Sequence, residues 1–329
     1  MILSAYCLSY GNWTVIPSHW ERVFADMREI GFDAVDLSFC ESEAVYSMRT
    51  FEQQVNLAHK HGLKVFVIPS RFGGRFAGAP LMPGLWLAEH PECQVPGHPL
   101  LGCLESPAFL EFSEGFIRKI VASFDVDGVI WDEPKQAGVI SLHPDTLRKY
   151  GKAPTRGDMF SGMLEYLTCL TRAAREIRPS LVMTIFNMPN TPPDFTKQCS
   201  RIPGIDFTGF DGTCCEQSYF HEPPRRVKPT VRQMWPRTCE EARRDGGGTF
   251  ALIENILIPD SEFEAYEKEL LLTLREVCPD HLSCYYYGHN NESAERIQKF
   301  TMDAVSEMIH EHRPTLAGPR AEPEVCPVH

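Results

Sequence analysis

One order of signals recurs along this chain: a helix cap, a helical run, a stop, then an apolar strand-like run. That order restricts the fold more than any single motif. Ser18 with Glu21 three residues on reads as a capping box, the run to Ile30 has helical periodicity, and Gly31 supplies a left-handed stop before DAVDLSF. Thr50 with Gln53 repeats the box, a helix is expected to His61, Gly62 ends it, and LKVFVIP follows. Ser106 before Pro107 opens a helix to about Ser123, since proline at the first helical position gives up an N–H that has no intrahelical partner. DGVIWDEP comes next, from Asp127 to Pro134. A helix from Met159 to Ile177 leads to LVMTIFN and then GIDFTGFDG, and Thr238 with Glu241 marks a short helix before Gly246 to Gly248 and TFALIEN. Ser261 with Glu264 opens a helix to Val277. LSCYYYGHNN is the last strand-like run, with Asn291 as the cap of a final helix ending near Glu311.

Counted from ILSAYCL, the chain has eight strand-like runs, seven of them preceded by a helical or partly helical connection. Runs such as KVFVI and LVMTIF are apolar on both faces, as a parallel sheet covered by helices requires. With 329 residues, 43% of them hydrophobic, the pattern predicts one α/β domain, a single (β/α)8 TIM barrel over residues 1–312. No linker splits it. Residues 313–329, with prolines 314, 319, 323 and 327, are expected to be a disordered or loosely docked tail. The loop over 69–105 is long for a barrel connection, and its Gly73, Gly74, Pro80, Pro83 and Trp86 suggest a lid or a cover packed on itself.

Acids outnumber bases 44 to 32, a formal charge of −12, which argues against a phosphate-binding face and so against nucleic acid as a partner. The start, ILSAYCLSY, lacks a basic region and a cleavage site, and no run reaches the ~18 apolar residues of a membrane span, so a cytoplasmic protein with no membrane partner is expected. The 12 cysteines are scattered without a CxxC pair, and reduced buried thiols are the expectation. No metal site or cofactor is expected.

Barrel active sites occupy the C-terminal rim, so the residues ending each run are the candidates. DGVIWDEP stops at Asp132 and Glu133, and TFALIEN stops at Glu254. Two carboxylates from two strand ends suit a cleft in which one donates a proton and the other attacks or stabilises a cation. The remaining candidates for ligand contact are Tyr10, Trp13, Arg71, Trp86, Trp131, Asn187, Asp211, Trp235, Tyr287, His289 and Asn290. Aromatic faces beside hydrogen-bonding groups suit a sugar. If Glu133 faces the barrel axis, Val129 and Trp131 share its face while Ile130 and Asp132 face the helices; on the seventh strand Phe250 and Leu252 share the face of Glu254.

These strand ends resemble the retaining glycoside hydrolases of the large clan with catalytic carboxylates after strands four and seven. HPEC (His90 to Cys93), CLESPAFLEF (Cys103 to Phe112) and FDVDGVIWDEP are similar to a looser group of glycosidase-like barrels. The resemblance implies Glu133 as acid/base and Glu254 as nucleophile of a cytoplasmic glycosidase in carbohydrate metabolism, acting on a small oligosaccharide or glycoside without a cofactor. The chain departs from the clan at Asp132, where an Asn is usual. A rival reading, from α-glycosidases and fucosidases with an xWxD run at strand four, makes Asp132 the nucleophile. Two other classes compete. GFDAVDLS is similar to the GFDxVEL runs of metal-dependent sugar isomerases and epimerases, in which Glu133, Asp211, His289 and Glu254 would surround a divalent ion; a non-catalytic carbohydrate-binding barrel is the other. Rim aromatics and the proline-rich tail leave room for a homodimer contact.

Overall fold

The structure, a computed structural model, describes residues 1–7, 15–76, 84–214, 229–243, 246–285, 287 and 291–312. Eight strands close into a barrel in which each pairs in parallel with its chain neighbour: β1 Ile2–Cys7, β2 Ala34–Phe39, β3 Lys64–Pro69, β4 Gly128–Asp132, β5 Val182–Asn187, β6 Phe207–Thr213, β7 Gly248–Glu254 and β8 His281–Tyr285. β8 closes on β1. The expected (β/α)8 barrel is the fold observed.

Alternation divides the core in two. Tyr6, Ala34, Phe66, Ile68, Ile130, Phe186, Phe250 and Leu252 fill the barrel. The intervening residues, among them Val35, Leu37, Val65, Val67, Val129, Trp131, Ile185 and Ile253, pack outward against the helices. Each fully buried side chain of this size contributes about 1.5 to 3 kcal/mol. Gly209 is required where it stands, because a Cβ there would lie 1.8 Å from the carbonyl oxygen of Phe250.

An aspartate immediately precedes every even strand and ties it to the odd strand before it. Asp33 Oδ2 accepts the Leu3 N–H at 3.0 Å, and Asp127, Asp206 and Asp280 accept those of Val65, Met183 and Thr249, each at 2.8 Å. The carbonyls of the same aspartates accept from the next odd strand, at Lys64, Val182, Gly248 and Ile2, at 2.7 to 2.9 Å. Four staples of one design thus fix the register around the barrel floor. Counted from each staple, the residues one, three and five positions on face the barrel axis, as Ala34, Asp36 and Ser38 do on β2.

The helices differ from expectation at their ends. Ser106 caps the Pro107–Ser123 helix as expected, accepting from the Phe109 N–H. Ser18, Thr50 and Thr238 lie inside helices Pro17–Ile30, Met48–Lys60 and Val231–Arg243 and cap nothing. The long helix begins at Arg156, three residues before the expected Met159, behind a Thr155–Asp158 capping box. Asn291 Oδ1 accepts the Ile258 N–H at 2.8 Å and so ties the last helix, Ala294–His312, to the β7 loop. The β3–β4 connection carries its own short helix, Leu85–Glu89, and a hairpin of Gln94–Val95 with His98–Gly102. Glu41 Oε2 anchors it through the Trp86 N–H at 2.7 Å, and the buried Arg75 donates to the carbonyls of Gly102 and Gln136.

Candidate active site

Five residues past each staple, the tops of the even strands present Ser38, Asp132, Asp211 and Tyr285 to the axis; Glu254 ends β7 on the same inner face as Phe250 and Leu252. The expectation for β7 holds. That for β4 is reversed: Ile130 lies in the barrel interior, and Trp131 points outward, donating Nε1–H to Thr171 Oγ1 at 3.0 Å. The Asp127 staple sets this parity. Asp132 is therefore the inward carboxylate of the strand proper. Glu133 follows in a left-handed conformation (φ 41°), with its N–H on the carbonyl of Phe186 at 3.1 Å, so the chain leaves the strand at this residue. Its carboxylate, also buried, pairs with the Lys135 ammonium.

Backbone strain gathers at this rim. Besides Glu133, the non-glycine residues with positive φ among the described residues are Arg71 after β3, Gln136 in the β4 turn and Leu257 after β7. Strained residues of this kind persist where surrounding contacts hold them, often at functional sites. Here the Lys135 N–H donates to the Arg75 carbonyl at 2.8 Å, while Arg75 Nη1 reaches the Gln136 carbonyl, so Arg75 holds the Glu133 turn from both sides.

The charges converge on Asp132. Burial pushes its pKa well above the carboxylate range, Glu133 and Asp211 push it further, and Lys135 and Arg71 pull partly the other way. Asp132, Glu133, Asp211, Arg71 and Lys135 are thus brought together. Tyr6, inward on β1, feels Asp132 and Glu133 from one side and Asp36 from the other, and meets Tyr285 edge-on with ring centroids 5.0 Å apart. Among the described residues no group of three or more His, Cys, Asp or Glu is disposed to hold a metal ion.

Several expected contacts lie elsewhere. Trp86 stacks between His90 and Phe112 in the β3–β4 connection, at centroid distances of 4.1 and 4.6 Å. Trp131 and Trp235 pack in the layer between strands and helices. Asn187, by alternation on β5, faces the helices, close enough to Cys199 to favour its thiolate against the burial that disfavours it. Tyr287 meets Phe32 edge-on and lies near Asp26. Tyr10, Trp13, His289 and Asn290 lie outside the described residues. Tyr6, Asp36 and Lys135 are not among the residues expected from the sequence, and Tyr285, not the expected Tyr287, faces inward. The spacing from the staple aspartates was the signal that finds Asp36 and Tyr285.

No known family pattern matches the chain, and no curated protein does. Solved structures do. The catalytic domain of a β-amylase from Paenibacillus polymyxa is similar with a TM-score of 0.63 at 10% identity, over 93% of this chain and 98% of that one. A GH5_18 protein from Streptomyces cattleya, in complex with GlcNAc, gives a TM-score of 0.62 at 13% identity, over 98% of this chain and 82% of the other. A β-galactosidase from Marinomonas ef1 gives 0.67 at 11% identity over 96% of this chain, which spans only 60% of that larger protein. The fold is that of glycoside-hydrolase barrels. At such identities the likeness concerns the barrel; residue roles rest on the geometry above. No helix among the described residues is long and apolar enough to cross a membrane.

Proposed function

We propose that the chain is a glycoside hydrolase that cleaves a small oligosaccharide or glycoside, with Glu133 as acid/base and Glu254 as nucleophile. The observation that carries this reading is the placement of two buried glutamates at the C-terminal ends of β4 and β7, on a barrel shared with glycosidases. In the first step Glu133 protonates the glycosidic oxygen as it leaves, and Glu254 forms an ester to the anomeric carbon. In the second, Glu133 takes a proton from water, which displaces Glu254 and restores both groups. Lys135 must release the Glu133 carboxylate for that proton to be carried. Asp132 suits the nucleophile's role less, since an attacking carboxylate must be ionised and its surroundings favour the protonated form. With Asp132, Glu133, Asp211 and Glu254 at the rim against Arg71 and Lys135, a neutral sugar fits better than an acidic one.

The test is a screen of aryl glycosides followed by variants at the two glutamates. Glu254→Gln should abolish turnover of the substrate found and leave the fold intact. Glu133→Gln should keep measurable activity only on glycosides whose leaving group needs no proton. Equal, mild losses in both variants would overturn the assignment.

A further inference from the structure

Beneath the rim, β8, β1 and β2 place a polar group in a barrel interior that is otherwise mostly apolar. Ser4 Oγ and Ser283 Oγ both donate to Asp36 Oδ2, at 2.8 and 2.6 Å, and His281 Nε2 lies 2.8 Å from Ser4 Oγ. Since Ser4 spends its single proton on Asp36, His281 must donate through Nε2 and is neutral, in keeping with a pKa lowered to about 3 by burial. Every one of these side chains is fully buried.

Four further polar atoms on this wall have no hydrogen-bond partner among the described residues: Asp36 Oδ1, the Tyr6 hydroxyl, Ser38 Oγ and His281 Nδ1. They belong to adjoining strands, with Tyr6 directly beside Asp36 in the β1–β2 register and Ser38 two residues further along β2. Buried polar atoms in that state cost about 1 to 3 kcal/mol each unless enclosed water or a shared proton satisfies them. Side chains in a barrel stack in layers of four from alternate strands. Counted from the staples, Asp36 lies with Ile130, Gly209 and Ser283, and Asp132 lies with Ser38, Asp211 and Tyr285. The layer between them is Tyr6, Ile68, Phe186 and Leu252, in which only Tyr6 is polar.

We propose that the Tyr6 hydroxyl, with enclosed water, is the hydrogen-bonded bridge between Asp36 and Asp132, so that Asp36 acts as a positioning residue for the proton held at the rim. No bond other than O–H is made or broken: a proton leaving one carboxyl is taken up by the other as the tyrosine and water reorient. Asp36 suits the exchange, because burial, opposed by its two serine donors, raises its pKa to about 7. The titratable groups facing this column are Tyr6 on β1, His281 and Tyr285 on β8, and Asp132 and Glu133 at β4; Cys7 and Cys284 lie on the outward faces of β1 and β8 and feel only the Asp36 charge.

The test uses the full chain labelled with ¹³C at aspartate carboxyls, with Asp36 and Asp132 assigned by D36N and D132N and titrated by NMR. Tyr6→Phe deletes one oxygen and no charge, so attraction or repulsion acting only through space survives it. The proposal expects Y6F to move the midpoints of both carboxyls, each by on the order of one pH unit, a tenfold change in proton affinity. Movement of neither, or of one alone, overturns it. Should Y6F fail to fold, the parent protein and D36N decide: a midpoint for Asp132 that is unchanged by D36N overturns the bridge, and a shift of about one unit supports it. No turnover enters the readout, so failure of the glycosidase reading would leave this result standing, and the reverse.

Discussion

Asp36 shows at the scale of one residue how a fold holds a proton. Its pKa stands at about 7 in the folded chain against an ordinary 3.8. Below the ordinary value both folded and unfolded states keep the proton and the group costs nothing. As pH rises toward 7 the unfolded chain ionises first, so stability falls across that window and levels off above it, by at most about 4 kcal/mol. Asp36→Asn should therefore melt higher than the parent at pH 7.5 by several degrees, with the gain shrinking to nothing or reversing near pH 4, as read by calorimetry across that range. A difference independent of pH would refute the assignment. Glu133 makes a different point. Its identity as a rim carboxylate was legible in DGVIWDEP, but its left-handed backbone and its pairing with Lys135 come from the turn that Arg75 holds.

At the scale of elements, the even strands carry the lesson. Each is preceded by an aspartate that accepts a backbone N–H from the strand before it, and this bond decides which residues turn inward. Asp127→Ala would strand the Val65 N–H and remove the partner of His59 Nε2, 3.0 Å from the same carboxylate oxygen. The expected loss is about 1 to 3 kcal/mol in urea unfolding, with Asp127→Asn recovering part of it because its amide oxygen still accepts. An Asp127→Ala protein as stable as the parent would mean that the staple does not hold the register. Alternation alone could not fix β4, because every residue from Gly128 to Glu133 is buried and polarity gives no phase. β7 is buried as well, but it ends on a single carboxylate, Glu254, which sets the phase, whereas β4 offers Asp132 and Glu133 in succession.

The whole molecule is a barrel whose upper rim gathers carboxylates from β4, β6 and β7 over a polar column on β8, β1 and β2. A two-carboxylate hydrolase needs no metal, whereas a sugar isomerase using the same rim would lose its activity with the ion. Treatment with chelator, followed by elemental mass spectrometry of the purified chain, should leave activity on the identified glycoside unchanged; loss restored by magnesium or manganese would favour the isomerase. The sequence by itself determined the eight-unit barrel and the two glutamates at strand ends, because caps, stops and apolar runs are local and repeat in one order. It also carries the four staple aspartates, whose role shows only in their hydrogen bonds. Only the tertiary structure decided that Asp132 rather than Glu133 continues the inner face, that Trp86, Trp131, Asn187, Trp235 and Tyr287 belong to packing, and that Tyr6 stands between two buried acids. Those facts depend on the phase of each strand against its neighbours and on how closely distant carboxylates approach, and both are set by closure of the barrel.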